Sequence, residues 1–220
     1  MGRVNRSAVR KAKATPLRRR PDVTRRRIFE AAAAEFAGKG LAGARVDEIA
    51  RRAGSNKRML YQYYGNKEAL WLSVLEHAYE AIREEERLLD VGRLDPVEGM
   101  RRLVAYNVRY TGAHPEFIAL LNSENLHRAR YLKKSRKVQS LYSPLLAMIG
   151  DVLERGRRQG VFRSGVDPMQ LYISIASLGY FYYSNIHTLS TIFGRKLSSA
   201  KARKARERHV VDMVLGYLKS

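Results

Sequence analysis

The chain has 220 residues, of which 42 are Lys or Arg and 21 are Asp or Glu, so its formal net charge is +21. It contains no Cys, which excludes disulfide frameworks and thiolate metal sites. The sequence shows no apolar run of the ~18 residues needed to cross a membrane and no apolar secretory segment near its start. We therefore expect a cytoplasmic protein without a membrane partner.

The positive charge is concentrated near the start of the chain. Residues 1–67 hold 18 Lys and Arg against 5 Asp and Glu, whereas residues 68–220 hold 24 against 16. Basic segments attract nucleic acids because they neutralise phosphates and release counterions. The distribution therefore predicts that the first third of the chain contacts a nucleic acid.

Residues 1–21 are predicted to form a disordered basic arm. They include eight Lys and Arg, no acidic residue and few large apolar side chains. Such a segment cannot bury enough apolar surface to offset the entropy of ordering. Two readings stay open: the arm tracks phosphates or enters a minor groove, as homeodomain arms do, or it is a solvated tail that adds only non-specific affinity.

A first helix is predicted over residues 23–38, with Asp22 or Thr24 as its N-cap. Its large and small apolar side chains recur on one face at Phe29, Ala32, Ala33 and Phe36. Gly38 and Gly40 are expected to end it.

The run from Val46 to Leu70 is predicted to hold two short helices, a tight turn between them and the start of a third helix. Gly54 permits the turn because a residue without Cβ adopts positive φ at little cost. Asn56 is a suitable N-cap for the second helix, which covers residues 56–64. The side chains of this helix that can donate to DNA are Lys57, Arg58, Tyr61, Gln62 and Tyr63. Such a helix is typical of a recognition helix in a major groove.

Three spaced motifs in this run carry a family resemblance. They are I-A-x-x-A-G at 49–54, L-Y-x-Y at 60–63 and N-K-E-x-L at 66–70. The combination resembles the DNA-binding region of the TetR family of transcriptional regulators and covers about the first third of the chain. The resemblance implies an all-α protein with an N-terminal three-helix helix-turn-helix domain, residues 22–66, and a larger helical ligand-binding and dimerisation domain, residues 67–220.

The resemblance and the residue types together give a set of candidate DNA contacts. These are Thr24, Arg25, Arg45, Asn56, Lys57, Arg58, Tyr61, Gln62, Tyr63 and Lys67. Arg58 is the first candidate for base contact because its guanidinium can bond guanine O6 and N7 together. The chain departs from the family at Ala44 and Arg45, where most members have a Thr or Ser that caps the second helix. That hydroxyl contact is absent, and weight shifts to Arg45.

The remainder is predicted to be helical. The fourth helix follows an Asn66 cap, runs to about Leu89 and links the two domains. Asp-Pro and His-Pro pairs mark later helix starts. Further helices are placed near 96–112, 115–126, 128–156, 168–193 and 203–218, with a break in the third of these expected at 140–144.

Apolar stripes on the last two helices give a candidate homodimer interface. Its residues are Leu171, Ile175, Leu178, Tyr182, Val211, Val214, Leu215 and Leu218. By spacing alone each stripe fits an internal core equally well. The dimer reading depends on the resemblance, which implies two recognition helices on a palindromic double-stranded operator.

The resemblance also implies a small-molecule effector between helices. Candidate ligand contacts are Tyr106, Tyr110, Phe117, Leu121, Glu124, Asn125, Arg128, Tyr183 and His187. Aromatic walls with a few polar groups suit such a cavity. The run from His114 to Asn125 resembles regulators of catabolic operons, which favours a small polar or heterocyclic metabolite.

No metal, cofactor or catalytic function is expected. The five His residues lack the i, i+4 spacing of a helical metal site, and the sequence has no phosphate-binding glycine loop or nucleophile motif. The predicted function is a ligand-responsive regulator, a repressor that a small molecule releases from its operator. The alternative is a basic architectural protein that binds nucleic acid without sequence preference or ligand.

Overall fold

The computed structural model describes residues 21–219, so the predicted basic arm lies outside the described residues except for Pro21. Over this range the chain forms ten α-helices and no strand, which confirms the all-α prediction. The helices are α1 Pro21–Gly43, α2 Val46–Arg52, α3 Lys57–Tyr64, α4 Lys67–Leu88, α5 Pro96–Ala113, α6 Pro115–Leu126, α7 Arg136–Arg158, α8 Pro168–Ser184, α9 Ile186–Ile192 and α10 Ala200–Leu218.

Several helix starts have the predicted side-chain caps. Asn56 Oδ1 accepts from the backbone N–H of Met59 at 2.9 Å. Asn66 Oδ1 accepts from Ala69 N–H at 2.7 Å. Asp95 and Asp167 each accept two backbone N–H groups at the starts of α5 and α8. These polar residues fix where the helices begin because the first turn of a helix leaves its N–H groups unpaired.

The first core joins α1, α2, α3 and the start of α4. Its fully buried side chains include Ile28, Phe36, Ile49, Leu60 and Trp71. The rings of Phe36 and Trp71 meet edge to face, with centroids 5.2 Å apart. This core holds α3 at a fixed orientation against α1 and α4.

The second core joins α5, α7, α8 and α10. Val104, Val108, Ile149, Ile175 and Leu218 are among its most buried side chains. Helix α5 lies centrally and packs on both α8 and α10, while α6 packs back on α1. Helix α4 starts beside the recognition helix and ends against α7, so it physically connects the two halves of the protein.

The first helix is longer than predicted at both ends. It begins at Pro21, so Asp22 and Thr24 lie inside the helix and neither is the N-cap. It continues to Gly43 through a break at Gly40, where φ is 64°. Only the lack of a Cβ makes that left-handed backbone inexpensive, and the residues after it return to helix against the first core.

The helix predicted over 128–156 instead begins at Arg136. Arg128 and Ala129 both have φ of 55°, which interrupts helical geometry. Residues 127–135 form a turn, and Ser135 Oγ caps α7 by accepting from Val138 N–H at 3.1 Å. Helix α7 then passes through Pro144 without the expected break.

The helix predicted over 168–193 is divided into α8 and α9 at Asn185. The Asn185 amide donates to Phe181 O at 2.9 Å, which satisfies a carbonyl at the end of α8. Helix α10 begins at Ala200, three residues earlier than predicted, because Ser199 Oγ accepts from Ala202 N–H at 3.2 Å.

Candidate nucleic-acid interface and ligand cavity

The α2–α3 unit is a tight turn between two short helices. Gly54 has φ of 55°, and Ser55 N–H donates to Ala50 O at 2.9 Å, which closes the end of α2. Leu60 is fully buried in the first core. The opposite face of α3 is left in solvent, with Asn56, Lys57, Arg58, Tyr61 and Gln62 exposed.

A buried carboxylate takes the place of the missing hydroxyl at the start of α2. Arg45 is the N-cap residue and makes no side-chain capping bond. Its backbone N–H donates to Glu35 Oε1 at 3.4 Å, and the same oxygen accepts from Lys39 Nζ at 2.6 Å. The other oxygen lies 3.4 Å from Arg52 Nη2.

These contacts determine the ionisation of Glu35. The hydrogen bond from Lys39 is the largest cause that holds the pKa of Glu35 below its usual value of 4.5. The Arg45 N–H and the charge of Arg52 act in the same direction, and burial opposes them. Glu35 therefore fixes α2 on α1. The sequence reasoning missed this role, although an acidic residue within the apolar face of α1 was a usable signal.

The predicted DNA contacts mostly share one surface. Arg58, Tyr61 and Gln62 are exposed on α3, and Lys57 is exposed but forms an ion pair with Asp47. Tyr63 is half-buried against the first core. Lys67 is half-buried at the start of α4.

Arg25 lies beside the end of α3. Its guanidinium carbon is 5.8 Å from the centre of the Tyr64 ring, and its backbone carbonyl accepts from Tyr64 Oη at 3.1 Å. Thr24 does not lie on this surface, because the residue is only 8% exposed. The predicted phosphate contact of Thr24 is thus corrected: helix α1 turns that side chain inward.

A cavity of about 600 Å³ lies between α4, α5, α6, α7 and α8. The residues that line it are Tyr79, Ile82, Asn107, Thr111, Phe117, Leu121, Asn125, Tyr142, Tyr172, Ile173, Ala176, Ser177 and Tyr180. Three predicted ligand contacts, Phe117, Leu121 and Asn125, are among them.

The aromatic rings of the cavity wall meet edge to face. Tyr79 and Phe117 have centroids 5.5 Å apart at 84°, and Tyr142 and Tyr172 have centroids 5.8 Å apart at 73°. This arrangement is favoured by the ring quadrupoles. It locks the side chains of four different helices together around the cavity.

A buried ion pair supports this wall from behind. Arg83 Nη2 donates to Tyr172 Oη at 3.1 Å, and the Arg83 guanidinium lies 5.0 Å from the centre of the Tyr142 ring. Arg83 Nη1 is 2.9 Å from Glu86 Oε2. Burial raises the pKa of Glu86 to about 7 despite the opposing charge of Arg83. The positive charge of Arg83 is therefore already engaged by protein groups.

Tyr106 and Tyr110 lie next to the cavity but do not line it. They pack with Ile82 in a small separate cluster. Tyr110 meets Phe117 edge to face at 6.2 Å, so it supports a lining residue. The predicted direct ligand contacts of both tyrosines are corrected to packing behind the wall.

Glu124 is also a structural residue. It is 2% exposed, and Trp71 Nε1 donates to its Oε2 at 3.0 Å. Its Oε1 accepts the backbone N–H groups of Tyr131 and Leu132 at 2.8 and 2.9 Å. Both oxygens are thus engaged by α4 and by the turn before α7, and the predicted ligand contact is corrected.

Three further candidates lie away from the cavity. Arg128 is exposed in the turn after α6, and His187 is exposed on α9. Tyr183 lies against Gly112, in the space that a Cβ at that glycine would occupy, and its ring is 5.9 Å from the Arg203 guanidinium. These side chains do not join the cavity that Phe117 and Asn125 line.

Lining residues that sequence reasoning missed come mainly from α4, α5 and α7. Asn107 and Thr111 are one turn apart on α5, where their neighbours Val104 and Val108 are fully buried. A polar pair within a buried stripe was the available signal. Tyr79, Tyr142 and Tyr172 gave no signal that separates a cavity wall from an ordinary core.

The residues predicted for the dimer interface are mostly internal. Leu171, Ile175, Val211, Val214, Leu215 and Leu218 belong to the second core. Tyr182 is buried, and its hydroxyl donates to Leu197 O at 2.8 Å. Only Leu178 is half-buried. The apolar side chains that α8 and α10 expose are instead Met169, Ile173, Phe181, Met213 and Tyr217.

Two further searches of residues 21–219 concern metals and membranes. They contain no group of three His, Cys, Asp or Glu side chains placed to hold a metal ion. None of their helices is long and apolar enough to cross a membrane.

Family profiles match both halves of the chain. Residues 28–74 match the profile of bacterial regulatory proteins of the tetR family. Residues 96–214 match the profile of a tetracyclin repressor-like C-terminal domain.

Individual proteins are similar over most of the chain. The chain is 37% identical over 194 residues to the HTH-type transcriptional repressor NicS of Pseudomonas putida, covering 88% of this chain and 92% of NicS. It is 39% identical over 141 residues to the HTH-type transcriptional repressor SCO4008 of Streptomyces coelicolor, covering 63% and 69% of the two chains. Among solved structures, a putative transcriptional regulator, SCO4942 of S. coelicolor, aligns with a TM-score of 0.67 at 26% identity, covering 89% of this chain and 98% of that one.

Proposed function

Because the chain belongs to the TetR family of transcriptional regulators, we propose that it is a homodimeric repressor that releases its operator when a small molecule fills the cavity between α4 and α8. The observation that carries the proposal is the placement of α4. This single helix begins at Lys67 beside the recognition helix and contributes Tyr79 and Ile82 to the cavity wall.

In the proposed complex, α3 lies in the major groove. Arg58 reads a guanine, because it is exposed and no ion pair occupies its guanidinium among residues 21–219. Lys57 has part of its charge balanced by Asp47, so it is assigned to a phosphate. Arg25, Arg45, Tyr61 and Lys67 are placed around the base-reading residues and are also assigned to phosphates.

We assign the dimer interface to the exposed faces of α8 and α10. Between these helices runs a groove of about 360 Å³, lined in part by Gln170, Ser174, Leu178, Met213 and Tyr217. Adjacent exposed apolar side chains such as Phe181 extend the same face. A second copy of the chain would cover these residues and set the spacing of the two recognition helices.

The coupling step follows from the length of α4. Twelve residues separate Lys67 from Tyr79, which is about 18 Å along a helix. A ligand that displaces the Tyr79 ring moves the far end of α4 and therefore the orientation of α3. Release requires only that the ligand bind the displaced arrangement more tightly than the operator-bound one.

The repressor assignment is supported by two similar proteins, NicS and SCO4008, which are both named as transcriptional repressors. The test begins with duplexes that the full chain selects from a random pool. Fluorescence anisotropy then compares a selected palindrome with a scrambled duplex of equal composition. A preference of at least ~10³-fold is expected. Equal affinity for both would instead favour the non-specific architectural alternative.

The effector step is tested with a cavity-filling variant. Compounds that raise the melting temperature are added to the operator complex, and release is measured by gel shift. Ala176→Trp places an indole in the cavity, because Ala176 lines it. This variant should keep operator affinity and lose the response. A compound that releases both proteins equally would place the effector site elsewhere.

A further inference from the structure

The side chain of Asn107 leaves an acceptor unused inside the cavity. The residue is 4% exposed and lines the cavity from α5. Among residues 21–219, no donor lies within hydrogen-bond distance of its Oδ1. Buried polar atoms are nearly always paired because an unpaired one loses its bonds to water without replacement.

The neighbouring residues cannot supply the missing donor. Thr111 donates its hydroxyl to the backbone carbonyl of Asn107 at 2.8 Å, not to the amide side chain. Across the gap, α8 presents Gly179, where an added Cβ would lie 3.7 Å from Asn107 Oδ1. Glycine offers no side-chain donor. A donor for Oδ1 therefore has to come from the molecule that occupies the cavity.

The cavity also favours an uncharged occupant. None of the residues that line it within 21–219 is Asp, Glu, Lys or Arg. The nearest buried cation, Arg83, is paired with Glu86 and donates to Tyr172. A charged ligand would be desolvated without a partner, which is strongly unfavourable.

The ring geometry favours a flat occupant. Tyr79, Phe117, Tyr142 and Tyr172 contact one another by their edges, so parts of their faces remain available to a ligand. An aromatic ring gains both buried area and quadrupole complementarity against such faces.

We infer that the effector is a neutral, planar molecule that donates one hydrogen bond, from an N–H or O–H group, to Asn107 Oδ1. The inference rests on the proposal that this cavity is the effector site. It adds the chemical class of the ligand and the residue that selects it.

The test compares indole with benzofuran, which has nearly the same size and shape but an oxygen in place of the N–H. Dissociation constants are measured with the full chain by calorimetric or ligand-observed NMR titration. Indole should bind at least about tenfold more tightly, because benzofuran leaves Oδ1 unpaired. Indole-3-carboxylate, which carries a charge, should bind more weakly than indole.

Two variants locate the preference. Asn107→Leu should bind benzofuran and lose the preference for indole, so that the ratio of the two constants approaches one. Asn125→Leu is the matched control, since Asn125 lines the same cavity but is exposed, and it should keep the preference. Thermal melts establish that both variants are folded, and the wild-type comparison requires neither of them.

Equal binding of indole and benzofuran by the wild type would overturn the inference. So would binding of neither, or a preference that survives in Asn107→Leu. The proposed regulatory function fails separately: if indole binds through Asn107 but no donor-bearing compound of this class changes operator affinity, the ligand class stands and the repressor-release mechanism is wrong.

Discussion

On the α3 surface, the side chains of Arg58 and Gln62 extend into solvent, whereas the cavity between α4 and α8 is lined without a charged residue and is walled by tyrosines. Exposed charge remains hydrated until DNA replaces the water, so the surface is inexpensive to maintain. The cavity can keep no such charge. It selects by shape and by a single unpaired acceptor, Asn107.

This difference indicates how the two regions can evolve separately while staying coupled. A change at Arg58 alters which bases are read without disturbing either core. A change at Asn107 alters which ligand is accepted without reaching the DNA. Helix α4 and the contacts of Glu124 hold the two regions in a fixed relation, so the strongest perturbations are expected there.

The largest effect is expected for Glu124→Leu. The substitution leaves Trp71 Nε1–H and the backbone N–H groups of Tyr131 and Leu132 without their acceptor. The free energy of unfolding should fall by roughly 3–5 kcal/mol, measured by urea denaturation. Glu116→Leu, at an exposed position of the same helix, is the control and should change little. A small effect at Glu124 would return it to the set of ligand contacts.

The next effect concerns the proposed dimer. Phe181 is 60% exposed on α8, and Phe181→Glu places a charge in the interface. Dimerisation should weaken by about 2–3 kcal/mol, measured by analytical ultracentrifugation over a dilution series. Leu126→Glu is matched, because Leu126 is 84% exposed on α6. Equal dimer stability in both variants would move the interface away from α8.

Arg58→Ala tests base reading. Discrimination at one base pair should drop by ~1–3 kcal/mol, while affinity for other sequences changes less. Anisotropy titrations against a series of single-base variants of the selected duplex measure this.

Lys67→Ala is the contrasting variant. It should weaken binding to every duplex alike and reduce the salt slope by about 1, as expected for a phosphate contact. An unchanged sequence preference in Arg58→Ala would transfer base reading to Gln62 or Lys57.

The smallest effect is a pH dependence at Glu35. Its pKa is lowered in the folded protein by Lys39, Arg45 N–H and Arg52. The folded state therefore binds a proton less readily than the unfolded state. The stabilisation is fully present above 4.5, the ordinary pKa of the group, and is lost as the pH falls through the lowered value.

Glu35→Gln should therefore be less stable than wild type by about 1 kcal/mol at pH 7. The difference should shrink as the pH is lowered below 4.5. Glu30→Gln on the same helix alters only an exposed ion pair with Arg26 and serves as the control. A constant difference between wild type and Glu35→Gln at all pH values would show that the carboxylate charge is not what holds α2.

Local interactions explain most of what was predicted correctly. Asn56, Asn66, Asp95 and Asp167 cap the helices assigned to them, because a capping side chain contacts N–H groups only two or three residues away. The errors at 128–135 and at Asn185 arise where backbone groups are satisfied by residues that the helical pattern does not reveal. Glu124, for example, accepts N–H groups seven and eight residues further along.

The sequence by itself determined the helical fold, the turn at Gly54 and the exposed donors of α3, since these depend on spacing within one or two turns. Tertiary structure alone decided which tyrosines line the cavity, that Glu124 is a strut and that Leu171 and Val214 face inward. An apolar stripe shows that a helix face is buried, but it does not show what buries it. Only the packing of α8 and α10 against α5 distinguishes the core from a surface that a second copy would cover.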